Sequence, residues 1–274
     1  MPELPEVETI TRTLRPVLIG KTILSADLRW PRTLATPSPA AFKKRLIGQR
    51  IDSISRRAKF LNLHLSNAHL IIHLRMSGDL LVVLGGYQPA KHDRLILQLS
   101  GDTSLIFTDP RKFGRVWLVK DTDEIFRDLG MEPLSDGFSP EWLYSALRNR
   151  QRQLKPLLLD QNFIAGLGNI YADEALFLAK LHPLTPSDSI TKKQGNGLWR
   201  AIREVLEEGI RRNGASIDWV YRGGDFQNHF RVYGRTGEPC QVCKTPIERI
   251  TVGQRGTHFC PHCQVRAKPK NPVK

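Results

Sequence analysis

Lys155-Pro-Leu-Leu-Leu-Asp-Gln-Asn-Phe-Ile-Ala-Gly-Leu-Gly-Asn-Ile-Tyr-Ala-Asp-Glu-Ala175 reads as a helix, a glycine-rich turn and a second helix. Gly166 and Gly168 let the backbone approach closely, and Asn169 is placed to cap the second helix. A helix N-terminus with free amides and no bulky side chains readily takes a phosphate. The plain alternative is an ordinary helical hairpin.

Upstream of this stretch the chain reads differently. Leu61, Leu63 and Leu65 alternate with Asn62 and His64, the pattern of a half-buried strand. Leu70-Ile71-Ile72, Leu80 to Leu84, Leu95-Ile96-Leu97 and Val116 to Val119 are short apolar runs divided by Gly, Asp and Pro. Many short strands with little helix between them indicate a sandwich or barrel. One helix at about Ala40–Leu46 packs on it. From Ser139-Pro140-Glu141 the period becomes helical, with helices expected at 155–162, 169–180 and 191–213.

Downstream, Cys240-x2-Cys243 and Cys260-x2-Cys263 stand sixteen residues apart. That spacing predicts a closed, tetrahedral site of four thiolates for one structural zinc ion. His258 and His262 are left as non-ligands. Glu248–Val252 and Thr257–Phe259 read as two strands joined by Gly253-Gln-Arg-Gly256, with Arg255 at an exposed turn tip. An arginine on a rigid hairpin suits a phosphate, and a solvated surface arginine is the alternative.

With 41 Lys+Arg against 27 Asp+Glu, the 274-residue chain carries +14 and a pI near 9.9. Such a surplus points to a polyanionic partner, most often nucleic acid. No apolar run approaches the roughly 18 residues that span a bilayer. The acidic N-terminus is unlike a signal peptide, and paired cysteines fit a reducing cytoplasm.

Met1-Pro2-Glu3-Leu4-Pro5-Glu6 opens the chain. Pro5, Glu6 and Glu8 make a good helix start, and Val7, Ile10, Leu14 and Val17 continue it as a core-facing stripe. If Met1 is removed, Pro2 presents a secondary amine that can form an iminium with a sugar aldehyde, with Glu3 beside it as an acid or base. Two further turns stand out: Ile71-Ile-His-Leu-Arg-Met-Ser-Gly-Asp79, with Met76 near its tip, and Asp109-Pro-Arg-Lys-Phe-Gly-Arg115, with Arg111 and Phe113. Met and Phe can wedge between base steps and Arg can bond a base edge, although such residues are more often core.

Taken in order, Pro2-Glu-Leu-Pro-Glu-Val-Glu-Thr9, Arg57-Ala-Lys-Phe60, His73-Leu-Arg-Met-Ser-Gly78, Asp109-Pro-Arg-Lys-Phe-Gly114, Gly166-Leu-Gly-Asn-Ile-Tyr171 and Gln254-Arg-Gly-Thr-His-Phe-Cys260 resemble the bacterial formamidopyrimidine-DNA glycosylases. The resemblance runs from Pro2 to Cys263. It implies an α+β multidomain chain: an N-terminal β-sandwich with flanking helices over 1–130, a helix–two-turn–helix domain over 131–228 and a zinc finger over 229–265. A disordered basic tail covers 266–274. Double-stranded DNA would lie between the domains, and the protein would be a cytoplasmic monomer with zinc as its only metal.

The implied activity is removal of oxidised purines followed by β,δ-elimination. The resemblance assigns Pro2 as nucleophile, Glu3 as acid/base and Glu6 as support, with Lys59 near the lesion and Lys155 on the damaged nucleotide. Asn169 and Arg255 would grip the phosphates, His73, His92 and Tyr233 would add DNA contacts, and Met76, Arg111 and Phe113 would fill the void. Arg111 would pair with the orphaned cytosine. The stretch Ser216–Phe226, with Gly223-Gly224, reads as a mobile loop able to cover an extruded base. Three other readings are an endonuclease VIII-type enzyme for oxidised pyrimidines, a non-enzymatic zinc-ribbon DNA binder and a DNA-binding protein that has lost activity. Leu4 and the His73–Gly78 motif favour the purine enzyme, and the zinc-ribbon reading leaves Pro2-Glu3 without a role.

Overall fold

The computed structural model describes residues 2–216 and 223–266. Met1, the centre of the stretch read as a covering loop, and the tail from 267 lie outside the described residues. The chain divides into two compact units. The first comprises Met1–Asp128 and Arg212–Asp225, the second Leu129–Arg211 and Phe226–Lys274. Residues just after 211, assigned from sequence to the helical domain, thus group with the N-terminal unit.

The first unit starts with helix α1 (Leu4–Leu18) and continues through nine strands: β1 (Ile23–Leu28), β2 (Leu34–Thr36), β3 (Ile51–Arg57), β4 (Phe60–Leu65), β5 (Ala68–His73), β6 (Asp79–Leu84), β7 (Asp93–Leu99), β8 (Thr103–Thr108) and β9 (Arg115–Val119). They form a four-stranded sheet ordered β1-β7-β8-β6 and a five-stranded sheet ordered β2-β9-β5-β4-β3. Every pairing is antiparallel except β2 with β9. Leu61, Leu63, Leu70, Ile72, Val116 and Leu118 of one sheet meet Leu95, Leu97, Leu105 and Phe107 of the other in one core. Of the sandwich or barrel expected from the short apolar runs, the sandwich is present. Truncating one of these leucines to alanine costs roughly 2–5 kcal/mol.

The alternation in β4 is less polar on its outer face than it reads, because Asn62 is also buried. Short helix α3 (Asp123–Phe126) covers that face, with Phe126 against Phe60 at 5.6 Å between ring centroids. On α1, Val7, Ile10 and Leu14 face the core as the spacing requires, and Leu18 closes the stripe while Val17 is half-buried. Arg15 Nε donates to Ile54 O at 2.8 Å and ties α1 to β3. Helix α2 (Pro39–Leu46) starts at a Ser–Pro pair, with Ser38 Oγ accepting from Ala41 N.

In the second unit are α4 (Pro140–Arg148), α5 (Leu154–Leu159), α6 (Asn169–Leu178) and α7 (Lys192–Arg211), then a hairpin of β10 (Glu248–Val252) and β11 (Arg255–Phe259). Ser139-Pro140 opens α4 as Ser38-Pro39 opens α2, with Ser139 Oγ accepting from Trp142 N. Leu198, Ala201, Ile202, Val205 and Leu206 give α7 a one-sided apolar stripe. Helix α6 differs, being buried from Ile170 to Phe177, which makes it the central element of its unit. Among the described residues no helix is long and apolar enough to cross a membrane.

Two local expectations need correction. Asn169 does not cap α6: Gly168 is the N-cap and Asn169 the first helical residue. Arg255 is not in the turn but opens β11, paired with Val252, because Gly253 and Gln254 at φ +53° and +61° already complete a two-residue turn.

Candidate nucleic-acid interface and catalytic terminus

At the start of α1, Glu3 and Glu6 form a capping box in which each side chain accepts the other residue's backbone N–H. Glu3 N donates to Glu6 Oε2 at 2.7 Å. The other oxygen, Oε1, accepts Ala215 N–H at 2.8 Å. Gly214, at φ +78°, sits directly against this carboxylate: a Cβ there would lie 2.7 Å from Glu6 Oε1. One buried carboxylate thus joins two distant pieces of backbone, and Pro2 and Glu3 are buried with it. Glu6, which the resemblance assigns to support the site, is 2 % exposed and spends both oxygens on main-chain amides.

Lys59 follows Ala58, which is held at φ +53° between β3 and β4 with its carbonyl accepting from Arg56 Nη1 at 3.0 Å. Phe60 pairs across the sheet with His73, so Lys59 and His73 occupy neighbouring positions. Burial above all, with the charges of Arg75 and Lys59, pushes the His73 pKa down to about 3. His73 is therefore neutral, and its Nδ1 accepts Arg75 N–H at 2.9 Å. The ring proton is then on Nε2, the nitrogen left to donate.

Met76 lies more than thirty residues before Arg111 and Phe113 in sequence, and Asp109 brings the two turns together. Its fully buried carboxylate accepts from Ser77 Oγ, from Arg111 N at 3.2 Å and from Gly114 N at 2.7 Å. Arg75 and Lys112 take left-handed φ values of +55° and +62° in these turns. At Gly78 and Gly114 a Cβ would meet Phe107 at 2.8 and 2.3 Å, so both turns close only on glycine. The Arg111 guanidinium stands 5.1 Å from the centre of the Phe113 ring, and Phe113 is 51 % exposed. Such exposure of a large aromatic on a fixed turn suits a wedge better than a core position. His92 is exposed at the base of this arrangement, its carbonyl accepting Asp109 N–H at 2.9 Å.

In the second unit the turn before α6 is closed by Gln161, whose Nε2 donates to Leu167 O at 2.8 Å and whose Oε1 accepts Gly166 N–H at 3.0 Å. Asn169 Nδ2 donates to Gly256 O at 2.9 Å, which sets its side chain beside the start of β11 and the exposed Arg255. Tyr233 is half-buried, its ring 5.0 Å from that of His258. Lys155 is not displayed as a free ammonium would be: it is fully buried, bonded to Asp173 and to Asn169 O at 3.2 Å.

The four cysteine sulfurs all lie within 4.8 Å of one another. The pairs Cys240–Cys263 and Cys243–Cys260 are 4.0 and 3.4 Å apart. A tetrahedral zinc with Zn–S near 2.3 Å requires S···S edges of about 3.8 Å, so the donor set fits one structural zinc ion. Val242 N and Cys263 N each donate to a cysteine sulfur at 3.4 Å, the pattern that stabilises thiolates. His258 is engaged by Asp173 and His262 is exposed, outside the cluster.

Sequence reasoning gave no role to Ser77, Asp109, Asp173, Glu174 or Gly214, and read His258 only as a non-ligand of the zinc. One signal was available for the pair on α6: two acidic residues inside Asn-Ile-Tyr-Ala-Asp-Glu-Ala-Leu-Phe-Leu, a stretch otherwise nearly apolar.

Comparison with known proteins accounts for most of the chain. Residues 1–116 match the formamidopyrimidine-DNA glycosylase N-terminal domain, residues 129–220 the H2TH domain of the same enzymes, and residues 237–265 a zinc finger found in FPG and IleRS. The formamidopyrimidine-DNA glycosylase of Chloroflexus aggregans is 51 % identical over 273 residues, covering 97 % of this chain and 99 % of that one. Among solved structures, the Lactococcus lactis enzyme bound non-covalently to DNA containing an AP site aligns with a TM-score of 0.89 at 39 % identity. The same enzyme with DNA containing Fapy-dG aligns at 0.90 and 38 %; each alignment covers 96 % of this chain and 100 % of the other. On the fold, the domain matches and this identity across nearly its whole length, the chain belongs to the formamidopyrimidine-DNA glycosylase family.

Proposed function

We propose that the chain excises oxidised purines, namely formamidopyrimidines and 8-oxoguanine, from duplex DNA and then cuts the abasic strand by β,δ-elimination. The observation that carries this reading is the anchored start of α1. Chain ends ordinarily fray, but here Glu6 fixes Glu3 and, through Ala215, the segment facing it. A terminal amine serves as a nucleophile only if it is held still against its substrate.

Once Met1 is removed, Pro2 carries a secondary amine, and α-amino groups titrate at about 7.7–8.0, close enough to neutral pH to keep a fraction in the nucleophilic free-base form. Attack on C1′ forms a C–N bond as the glycosidic bond breaks; the Pro2 nitrogen then sheds its proton, and the base, which leaves with the electron pair, gains one. Opening of the sugar ring turns the Pro2 nitrogen into an iminium and frees O4′, which takes a proton from the acid beside it, Glu3. The iminium acidifies C2′. Loss of that proton expels the 3′ phosphate, and a second elimination expels the 5′ phosphate.

The target sugar is unreachable inside a stacked duplex, so the nucleotide must be extruded at a cost of a few kcal/mol. Met76 and Phe113 fill the space it leaves, Arg111 bonds the orphaned cytosine, and Asn169 with Arg255 grips the phosphates. Lys59, His73, His92 and Tyr233 add contacts to the damaged strand, and Lys155 supports that grip from the interior. Zinc on the four cysteines cross-links the base of the β10–β11 hairpin, giving Arg255 a rigid mount. A DNA substrate and thiolates that must stay reduced favour the cytoplasm as the compartment.

Borohydride reduction during turnover on an 8-oxoguanine·cytosine duplex tests this reading. A stable cross-link mapping to Pro2 is expected, with faster excision than from a thymine-glycol duplex. Absence of an adduct at Pro2 overturns the mechanism, and preference for thymine glycol overturns the substrate class.

A further inference from the structure

Helix α6 carries two adjacent carboxylates into the interior of its unit, where an unpaired charge costs several kcal/mol. Glu174 accepts the amides of Arg231, Val232 and Tyr233, at 2.9 Å in the closest cases. Asp173 does something different. One of its oxygens takes the Lys155 ammonium, and the other accepts His258 N–H at 2.9 Å and faces His258 Nδ1 at 3.3 Å. Lys155 bonds Asn169 O at 3.2 Å, and Asn169 Nδ2 bonds Gly256 O at 2.9 Å. Gly256 and His258 lie two residues apart on β11.

The bonds therefore close a ring: Asp173, Lys155, Asn169, Gly256, His258 and back to Asp173. It pins the first turn of α6 to the strand that begins with Arg255. It also uses one N–H of the Asn169 amide and fixes which way the other points.

We infer that Asp173 is a positioning residue that sets the spacing between the Asn169 side chain and Arg255, with Lys155 and His258 acting through it. The inference rests on the proposed role of Asn169 and Arg255 as phosphate ligands. Asp173 itself touches no DNA; it determines whether the two groups meet adjacent phosphates together or in turn. Preorganised donors bind an anion without the cost of ordering them at the moment of binding.

The test is Kd for a duplex carrying a tetrahydrofuran abasic analogue, measured across salt, with zinc content recorded for each variant. R255A should weaken binding and lower the slope of log K against log salt by about one phosphate's worth, roughly 0.9. D173N should weaken binding roughly tenfold, reduce the slope by a similar amount, and add little when combined with R255A. Because D173N removes the carboxylate charge beside the buried Lys155 ammonium, the double variant D173L/K155M serves as a second probe and should show the same loss with zinc retained. H258N, which keeps an N–H near the Nδ1 position, should bind as the unaltered protein, and H258F should not. Unchanged binding by D173L/K155M, or a D173N loss that adds in full to that of R255A, overturns the inference. An R255A variant with unaltered Kd and slope refutes the phosphate-ligand reading instead, and is distinguishable because it involves no residue of the ring.

Discussion

Gly214→Ala is the substitution whose consequence the structure specifies most fully. Gly214 holds φ +78°, and an added Cβ would stand 2.7 Å from Glu6 Oε1 and 2.8 Å from Glu6 Cγ. An L-residue in the left-handed region costs about 1–2 kcal/mol on its own. The clash adds to this, because Glu6 is 2 % exposed and must move away from Ala215 N–H, leaving a buried donor unpaired. That donor contributes about 1–3 kcal/mol more, so the total is about 2–5 kcal/mol. Gly20 supplies the control: its φ is +86°, yet nothing lies within 4 Å of its would-be Cβ. Urea unfolding should therefore show G20A losing only the backbone share and G214A losing clearly more. Single-turnover excision and borohydride trapping should then fall in G214A and stay unchanged in G20A, since only the former displaces the carboxylate that anchors Glu3. Equal destabilisation by the two variants, or full trapping by G214A, would refute the argument that Glu6 ties the catalytic terminus to the segment after α7.

Other outcomes follow from the same structure. The folded protein keeps His73 neutral down to about pH 3, while the unfolded chain takes up its proton near the ordinary histidine value of 6.5. The resulting stability is complete above pH 6.5 and is lost as the pH falls toward 3, at up to about 1.4 kcal/mol per pH unit; H73F should flatten that limb of the urea midpoint against pH, and an unaltered limb contradicts the assignment. Asp109→Ala removes the acceptor shared by Ser77, Arg111 and Gly114. Stability should drop by about 2–4 kcal/mol and the preference for cytosine opposite the lesion should weaken, whereas unchanged opposite-base selectivity would separate Asp109 from that function. Cys243→Ser should release zinc and weaken DNA binding with trapping on saturating abasic DNA preserved; full affinity without zinc would show the hairpin to be dispensable.

Much of the fold could be read directly. Ser139-Pro140 marks a helix start, the short apolar runs became strands β5, β6, β7 and β9, and the cysteine spacing predicted the sulfur cluster. These features are local: capping, alternation and ligand spacing are written within a few residues of chain. Where the reading slipped, a neighbour distant in sequence decided the matter. Asn169 has the side chain of a cap, but the carbonyl of Gly256 claims it. Lys155 looks like a cation for the nucleotide, but Asp173 holds it inside. Arg255 reads as a turn residue, but a two-residue turn at Gly253-Gln254 ends before it.

By itself, then, the sequence determined the division into a strand-rich first half and helices after it, the zinc ligands, the charge that suits DNA and the residue types available for chemistry at Pro2 and Glu3. It could not say which buried charge meets which partner. Asp109 joining two turns, Glu6 reaching Ala215, and Asp173 closing a ring through Lys155 and His258 all link positions that lie well apart along the chain. The physical reason is that a buried ion must be satisfied by whatever the folded chain brings within hydrogen-bond distance, and that choice exists only once the core has closed around it.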